Sequence, residues 1–303
     1  MTDLLIVGGG AAGLTAAIYA RRAGLQFVLL EQDGCGGGQI QTTDRVDNYP
    51  GLYGIDGMEL AEKLTEHCRS MDVSIRSETV TEVRLTDGGR FLVITDASEL
   101  EARSVIYAAG AVARKLDVPG AETFAGRGVS TCAACDGAFF SGEDVAVVGG
   151  GDTAASDALY LSRLCRTVHV LYRRNSMRAA QLLQERLQAA ENIILHPETQ
   201  LLELTGDEQL RSARIRTGST ERILPVGGVF AAIGTQPATE PLAGLGVCDA
   251  DGLITAGETG ATSIPGLYVA GDIRRKSLRQ VLTAAADGAN AASAAAAWLL
   301  ENP

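Results

Sequence analysis

Leu4-Leu5-Ile6-Val7, Gly8-Gly9-Gly10-Ala11-Ala12-Gly13 and the run Leu14–Arg22 follow one another without a break, and Gln26–Leu30 comes next. An apolar run, a glycine turn, an amphipathic run and a second apolar run are the parts of a βαβ unit. The same parts recur as Val145-Ala146-Val147-Val148, Gly149-Gly150-Gly151-Asp152-Thr153-Ala154, Ala155–Leu164 and Thr167–Leu171. Between the copies, Val73–Arg76, Val80–Leu85, Phe91–Thr95 and Val105–Ala108 are short and rich in Val and Ile, and read as strands. After the second copy the order repeats in Ile193–His196, Gln200–Thr205, Ala213–Arg216 and Gly228–Ala232. Both series close on a strand and a glycine, Gly110 and Gly234.

The whole unit is thus duplicated, and the fold class is α/β with two Rossmann-like dinucleotide-binding domains. The chain then returns to Leu267-Tyr268-Val269-Ala270-Gly271-Asp272 and a helix from about Gln280. That is too little for a third domain, so the second unit is read as inserted into the first. The expected division is 1–112 plus 239–303 for one domain and 113–238 for the other.

Composition narrows the function. The 303 residues are long for one domain and suit two. The 36 glycines cluster, which points to backbone that approaches a ligand closely. A net charge of −11 argues against nucleic acid as a partner. No apolar run approaches the roughly 18 residues of a membrane span, and Asp3 directly before the first strand is unlike a signal peptide. A soluble, cytoplasmic protein without a membrane partner is expected. Of the cysteines at 35, 68, 132, 135, 165 and 248, only Cys132 and Cys135 have a recognisable spacing. The other four read as buried small apolar residues.

In a G-x-G-x-x-G turn the glycines allow the bend and let backbone N–H groups approach a pyrophosphate at a helix N-terminus. Gly8, Gly10 and Gly13 fit, and Glu31 stands where an acid would hold a ribose 2′-OH. The second turn has Gly149, Gly151 and Ala154, with Thr153 beside them. Here the slot of Glu31 holds Tyr172, followed by Arg173 and Arg174, with Arg178 beyond. An acid repels a 2′-phosphate and a guanidinium pairs with it, so this site prefers NADP. FAD in the first site and NADPH in the second fits both.

Cys132-Ala133-Ala134-Cys135 is followed by Asp136. Two cysteines at this spacing can close a small, reactive disulfide. A structural zinc needs four ligands, and no second pair exists, so no metal is expected. Asp136 is either a proton carrier for a leaving thiolate or a turn carboxylate.

At this point the chain resembles the low-molecular-weight, bacterial-type NADPH-dependent thioredoxin reductases. GGGAAGLTAAIYA, GGQIQTTDRVDNYPG, CAACDG, GGGDTA, YRRNSMRA, TSIPGLYVAGD and RQV carry the resemblance, over nearly all of the chain. It implies a three-layer β/β/α form for each domain, with the NADPH domain inserted into the FAD domain. It further implies that Gly8, Gly10, Gly13 and Glu31 hold the adenosine and pyrophosphate side of FAD. Gln39 and Asn48 would lie near the flavin, Asp272 would bond the ribityl or phosphate region, and Arg279 and Gln280 the flavin end. Gly149, Gly151 and Thr153 would lie at the NADPH pyrophosphate, and Arg173, Arg174 and Arg178 would clamp its 2′-phosphate. Cys135 would face the flavin, Cys132 would attack the disulfide of thioredoxin or a similar small dithiol protein, and Asp136 would be the acid–base. A homodimer is implied as well.

Both NADPH and the disulfide belong to the inserted domain, yet each must reach the flavin of the other. Rotation of that domain about its two connections, near 113 and 239, is expected to serve both. Two rivals stay open. One is an NADPH-independent, ferredoxin-type reductase on the same scaffold, which should lack the second glycine turn or its arginines. The other is a non-enzymatic flavin-binding redox switch, which would bind FAD without steady NADPH consumption.

Overall fold

The computed structural model describes residues 2–303. Two compact units divide the chain: one ends at Val112 and resumes at Pro237, and the other is Ala113–Gln236.

In the first unit the strands follow the order Ile75–Ser77, Phe27–Glu31, Thr2–Val7, Glu99–Tyr107, Phe91–Thr95, Val80–Leu85, with Leu267–Val269 also paired to Glu99–Tyr107. Thr2–Val7 is parallel to Phe27–Glu31 and to Glu99–Tyr107, so it is central and covered on both faces. That is why its Leu4–Val7 stretch is continuously apolar rather than alternating. Leu4 and Ile6 pack with Leu14, Ala16, Ala17 and Ala291 of the helices Ala11–Arg22 and Val281–Glu301. Leu5 and Val7 point the other way, into Val83, Phe91 and Val93 of the antiparallel layer. The period of two of a strand thus makes a three-layer stack from four consecutive apolar side chains. Each such side chain contributes about 1.5–3 kcal/mol by leaving water.

Glu99–Tyr107 serves two layers. Its first half pairs antiparallel with Phe91–Thr95, and its second half lies parallel between Thr2–Val7 and Leu267–Val269. The helix Gly57–Ser70 covers a further flank, opened by Asp56, whose carboxylate accepts from Met58 N and Glu59 N at 2.8 and 3.2 Å.

The second unit repeats the plan. A parallel sheet has the order Ile193–His196, Thr167–Leu171, Asp144–Val148, Gly228–Ala231, Val129–Ser130. Val145 and Val147 face Ala154, Ala155, Ala158 and Leu161 of the helix Asp152–Leu161. Ala146 faces Leu204, Ala213, Ile215 and Leu224 of the antiparallel sheet Thr199–Gly206, Leu210–Thr217, Thr220–Pro225.

Two local readings are corrected, and one strand had not been read. The helices after the glycine turns begin at Ala11 and Asp152, not at Leu14 and Ala155, because Gly10 and Gly151 are themselves the N-caps. The strand expected at Val73–Arg76 is Ile75–Ser77, since Asp72, at φ 57°, is still turning the chain out of the preceding helix. Thr220–Pro225, a strand with mostly exposed side chains, carried no apolar alternation to announce it.

Candidate functional site

Each glycine turn lies at the carboxyl end of its central parallel strand, where open α/β sheets bind ligands. Gly8 has φ +104°, and a Cβ there would lie 2.4 Å from Ala108 O. Gly149 has φ +153°, and its Cβ would lie 2.1 Å from Ala232 O. Both are required by the bend and the neighbouring strand. Gly10 and Gly151 differ in kind. A Cβ on either would meet nothing within 4 Å, so no protein atom explains the lack of a side chain. Bare backbone at a helix N-terminus is of the kind that lets a phosphate group approach closely.

Glu31 ends the second strand of the first unit, and its carboxylate accepts the Gly9 N–H and, at 3.0 Å, that of Gln32. Burial pushes the Glu31 carboxyl upward, against the pull of these backbone donors. The matching neighbour of Gly150 is Tyr172, which is buried. Arg173, Arg174 and Arg178 are exposed, and among the described residues no acid pairs with any of them. Their segment folds back onto the glycine turn: Arg178 N donates to Gly150 O at 2.7 Å, and Ala180 N to the Asp152 carboxylate at 2.7 Å. Three exposed guanidinium groups in the segment that folds back onto this turn are of the kind that pairs with a phosphate. Thr153 is exposed in the first turn of that helix.

Elsewhere in the first unit, residues far apart in the chain converge. Asn48 Nδ2 donates to Gln280 Oε1 at 2.9 Å, and Gln280 caps the helix Val281–Glu301. Gln39 is exposed on the single turn Gly38–Thr42, close to Gly110. Arg279, also exposed, acts electrostatically on Asp272, whose Oδ1 is buried without a hydrogen-bond partner. An orphaned buried acceptor of this kind suits a ligand hydroxyl.

The cysteine pair occupies the equivalent place in the second unit, just past the strand Val129–Ser130. Cys132 and Cys135 are joined, with S–S 2.05 Å and Cα–Cα 5.3 Å. Cys132 is half-buried and caps the helical turn Ala133–Asp136, its Sγ accepting the Cys135 N–H at 3.1 Å, while Cys135 is exposed. Ala133 is wedged against Ala154, Ala155 and Ala158, so the pair is backed by the helix that follows the glycine turn. Ser130 Oγ donates to Asp136 Oδ2 at 2.6 Å and accepts from Cys132 N at 3.0 Å. Phe139, three residues beyond Asp136, is 80% exposed.

Ser130 was not anticipated; its position two residues before Cys132 is the only trace of it in the sequence. Lys276 and Asp287, which crowd Asp272, also went unread, because nothing marks a lysine inside a helix-leading loop as buried. Of the four cysteines expected to be buried, Cys68 and Cys165 are, but Cys35 is exposed and Cys248 half-buried. Cys35 lies in the turn after Glu31, among glycines that have no side chains to cover it. Among the described residues no helix is long and apolar enough to cross a membrane.

The chain belongs to the pyridine nucleotide-disulphide oxidoreductase family, whose model matches residues 2–288. It is 41% identical over 303 residues to the thioredoxin reductase of Mycolicibacterium smegmatis, covering 99% of this chain and 97% of that protein. It is 38% identical to the bifunctional thioredoxin reductase/thioredoxin of Mycobacterium leprae, covering 99% of this chain and 66% of the relative. The crystal structure of Lactococcus lactis thioredoxin reductase superimposes with a TM-score of 0.96 at 37% identity, covering 99% of this chain and 100% of that one. The chain is accordingly a flavin disulfide oxidoreductase whose cofactors are FAD and NADPH.

Proposed function

We propose that the chain reduces the disulfide of thioredoxin or a similar small dithiol protein at the expense of NADPH. One observation carries this reading. The Cys132–Cys135 disulfide lies at the carboxyl edge of the same sheet whose glycine turn is lined by Arg173, Arg174 and Arg178. The unit Ala113–Gln236 would take NADPH, and the discontinuous unit FAD.

In this assignment Gly8, Gly10, Gly13 and Glu31 hold the adenosine and pyrophosphate of FAD. Gln39, Asn48, Asp272, Arg279 and Gln280 hold its other end, and Gly149, Gly151 and Thr153 hold the NADPH pyrophosphate. Bound FAD supplies a two-electron relay between the nicotinamide and the disulfide. Two electrons and one proton open the Cys132–Cys135 bond to one thiolate and one thiol. Cys132, facing the Cys135 N–H at a helical N-cap, is suited to persist as the thiolate. It attacks one sulfur of the partner's disulfide and expels the other as a thiolate; Cys135 then attacks Cys132 Sγ, releases the partner sulfur bound there and re-forms the internal bond. Asp136 is placed to carry the proton, and its bond to Ser130 fixes the carboxyl. Exposed Phe139 offers an apolar contact beside the exchanging sulfurs. The fusion of a thioredoxin to a relative of this chain supports thioredoxin as the partner. Rotation of the inserted unit between two states, and assembly as a homodimer, belong to the same reading.

The test is NADPH oxidation by purified FAD-loaded protein with a panel of thioredoxins, comparing wild type with Cys132→Ser and running NADH in parallel. Turnover that needs thioredoxin and Cys132 and strongly prefers NADPH is expected. Thioredoxin-dependent turnover in the serine variant would overturn the cysteine roles. The arginines, exposed and unpaired, weigh against an NADPH-independent enzyme.

A further inference from the structure

Asp272 lies in the turn Gly271–Ile273, directly after the strand Leu267–Val269. Its buried Oδ1 accepts no hydrogen bond, yet Lys276 Nζ lies 3.8 Å away. Only 8% of the Lys276 side chain is exposed. A buried ammonium is costly unless something holds and neutralises it. Here Lys276 Nζ donates to Asp287 Oδ2 at 2.8 Å and reaches Thr283 Oγ1 at 3.5 Å.

Asp287, 5% exposed, does more than neutralise Lys276. Its Oδ1 accepts from Arg274 Nη2 at 2.6 Å, and its Oδ2 accepts from Gly271 N at 3.2 Å. One carboxylate therefore fixes both the turn that carries Asp272 and the ammonium that faces it. Asp272 and Asp287 balance Arg274 and Lys276, and Arg279 adds positive charge towards Asp272. Burial above all, and the nearby Asp287 charge to a lesser extent, push the Asp272 carboxyl upward, while Lys276 and Arg279 pull it down.

We infer that Lys276 is a positioning residue of the discontinuous unit's cofactor site: held by Asp287, its charge keeps Asp272 ionised as an acceptor for a hydroxyl of the bound dinucleotide. An ionised carboxylate accepts from a hydroxyl and repels a phosphate, so the contact is with the sugar-like part of the cofactor. The inference rests on the proposal that Asp272 contacts FAD.

A double-mutant cycle on FAD binding to the apoprotein separates the two. Dissociation constants are read from quenching of flavin fluorescence for wild type, Asp272→Asn, Lys276→Met and the double variant. Lys276→Arg is added to keep the charge. Lys276→Gln keeps a donor to Asp287 without the charge, so the cycle does not depend on the methionine variant folding. Asp272→Asn is expected to weaken FAD binding about tenfold or more, and loss of the lysine charge about tenfold. In the Asp272→Asn background the lysine replacement is expected to cost less than about twofold, and Lys276→Arg to recover most of the affinity. Equal losses in both backgrounds would show Lys276 acting by packing alone and would overturn the inference with the role of Asp272 intact. Unchanged affinity in Asp272→Asn would remove the site reading itself, and the inference with it.

Discussion

The two units share one plan and differ at two places, both at the carboxyl ends of parallel strands. At the end of the second strand, Glu31 leans on Gly9 in one unit, and Tyr172 leans on Gly150 in the other, with Arg173 and Arg174 next. Just past Leu267–Val269 one unit carries Asp272, and just past Val129–Ser130 the other carries the disulfide of Cys132 and Cys135. The glycine turns themselves are near copies: a strained first glycine beside a carbonyl, and a second glycine facing open space. A duplicated backbone thus carries two like glycine turns, and on the proposed assignment a few side chains at strand ends would decide which dinucleotide and which chemistry each serves.

The largest effect expected from breaking this symmetry is just past the strand Val129–Ser130. Cys132→Ser should lower thioredoxin-dependent turnover by at least about 10³-fold, while NADPH still reduces a small two-electron dye through the flavin. Loss of both activities in that assay would mean the cysteine is needed for folding or cofactor binding instead. Next come the strand ends. Arg173→Ala with Arg174→Ala should cut the NADPH-over-NADH preference about 10- to 100-fold, since charge-assisted bonds of about 1.5–3 kcal/mol are lost. Steady-state kinetics with both nicotinamides would read it, and an unchanged ratio would place the 2′-phosphate elsewhere.

The open glycines give a reciprocal pair. Gly10→Ala should weaken FAD binding about tenfold or more and spare the KM for NADPH, and Gly151→Ala should do the reverse, because the added methyl occupies ligand space rather than protein space. Matched losses of thermal stability in the cofactor-free proteins would instead reveal a packing role.

The smallest effect is confined to one unit. His169 Nδ1 and His196 Nε2 are 3.0 Å apart, and Arg222 reaches His196 Nδ1 at 2.9 Å. Burial and the neighbouring His169 and Arg222 hold His196 down at about 4, from an ordinary 6.5, while burial lowers His169 against the pull of Asp144. The unfolded chain therefore binds protons first. The contribution of the pair is intact above about pH 6.5 and is lost as pH falls towards 4, so acid should loosen Ala113–Gln236 first. Urea unfolding at pH 7 and pH 5, followed by hydrogen exchange in each unit, checks this, and His196→Asn should flatten the dependence.

How much was legible beforehand follows from the same comparison. The βαβ units stood out because a strand covered on both faces must be apolar throughout, as Leu4–Val7 is, and because the glycine turn is a backbone necessity. The cysteine pair was legible because thiol spacing alone constrains its chemistry. Helix Gly57–Ser70 was missed, since its few buried residues, such as Leu60, Ala61 and Cys68, are diluted by charge. Lys276 and Asp287 were illegible for a deeper reason: a charged residue reads as solvated until the fold shows which opposite charge has followed it inside. Arg178 could be read as basic, but not as tethered through its own amide to Gly150 O.

One feature of strand order bears on biosynthesis. The discontinuous unit needs Leu267–Val269 to flank Glu99–Tyr107 and the helix Val281–Glu301 to cover its sheet, and both emerge from the ribosome after every residue of the inserted unit. The inserted unit holds all its own strands within Ala113–Gln236. During vectorial synthesis Ala113–Gln236 can therefore mature while the segment before Val112 still waits for its closing pieces.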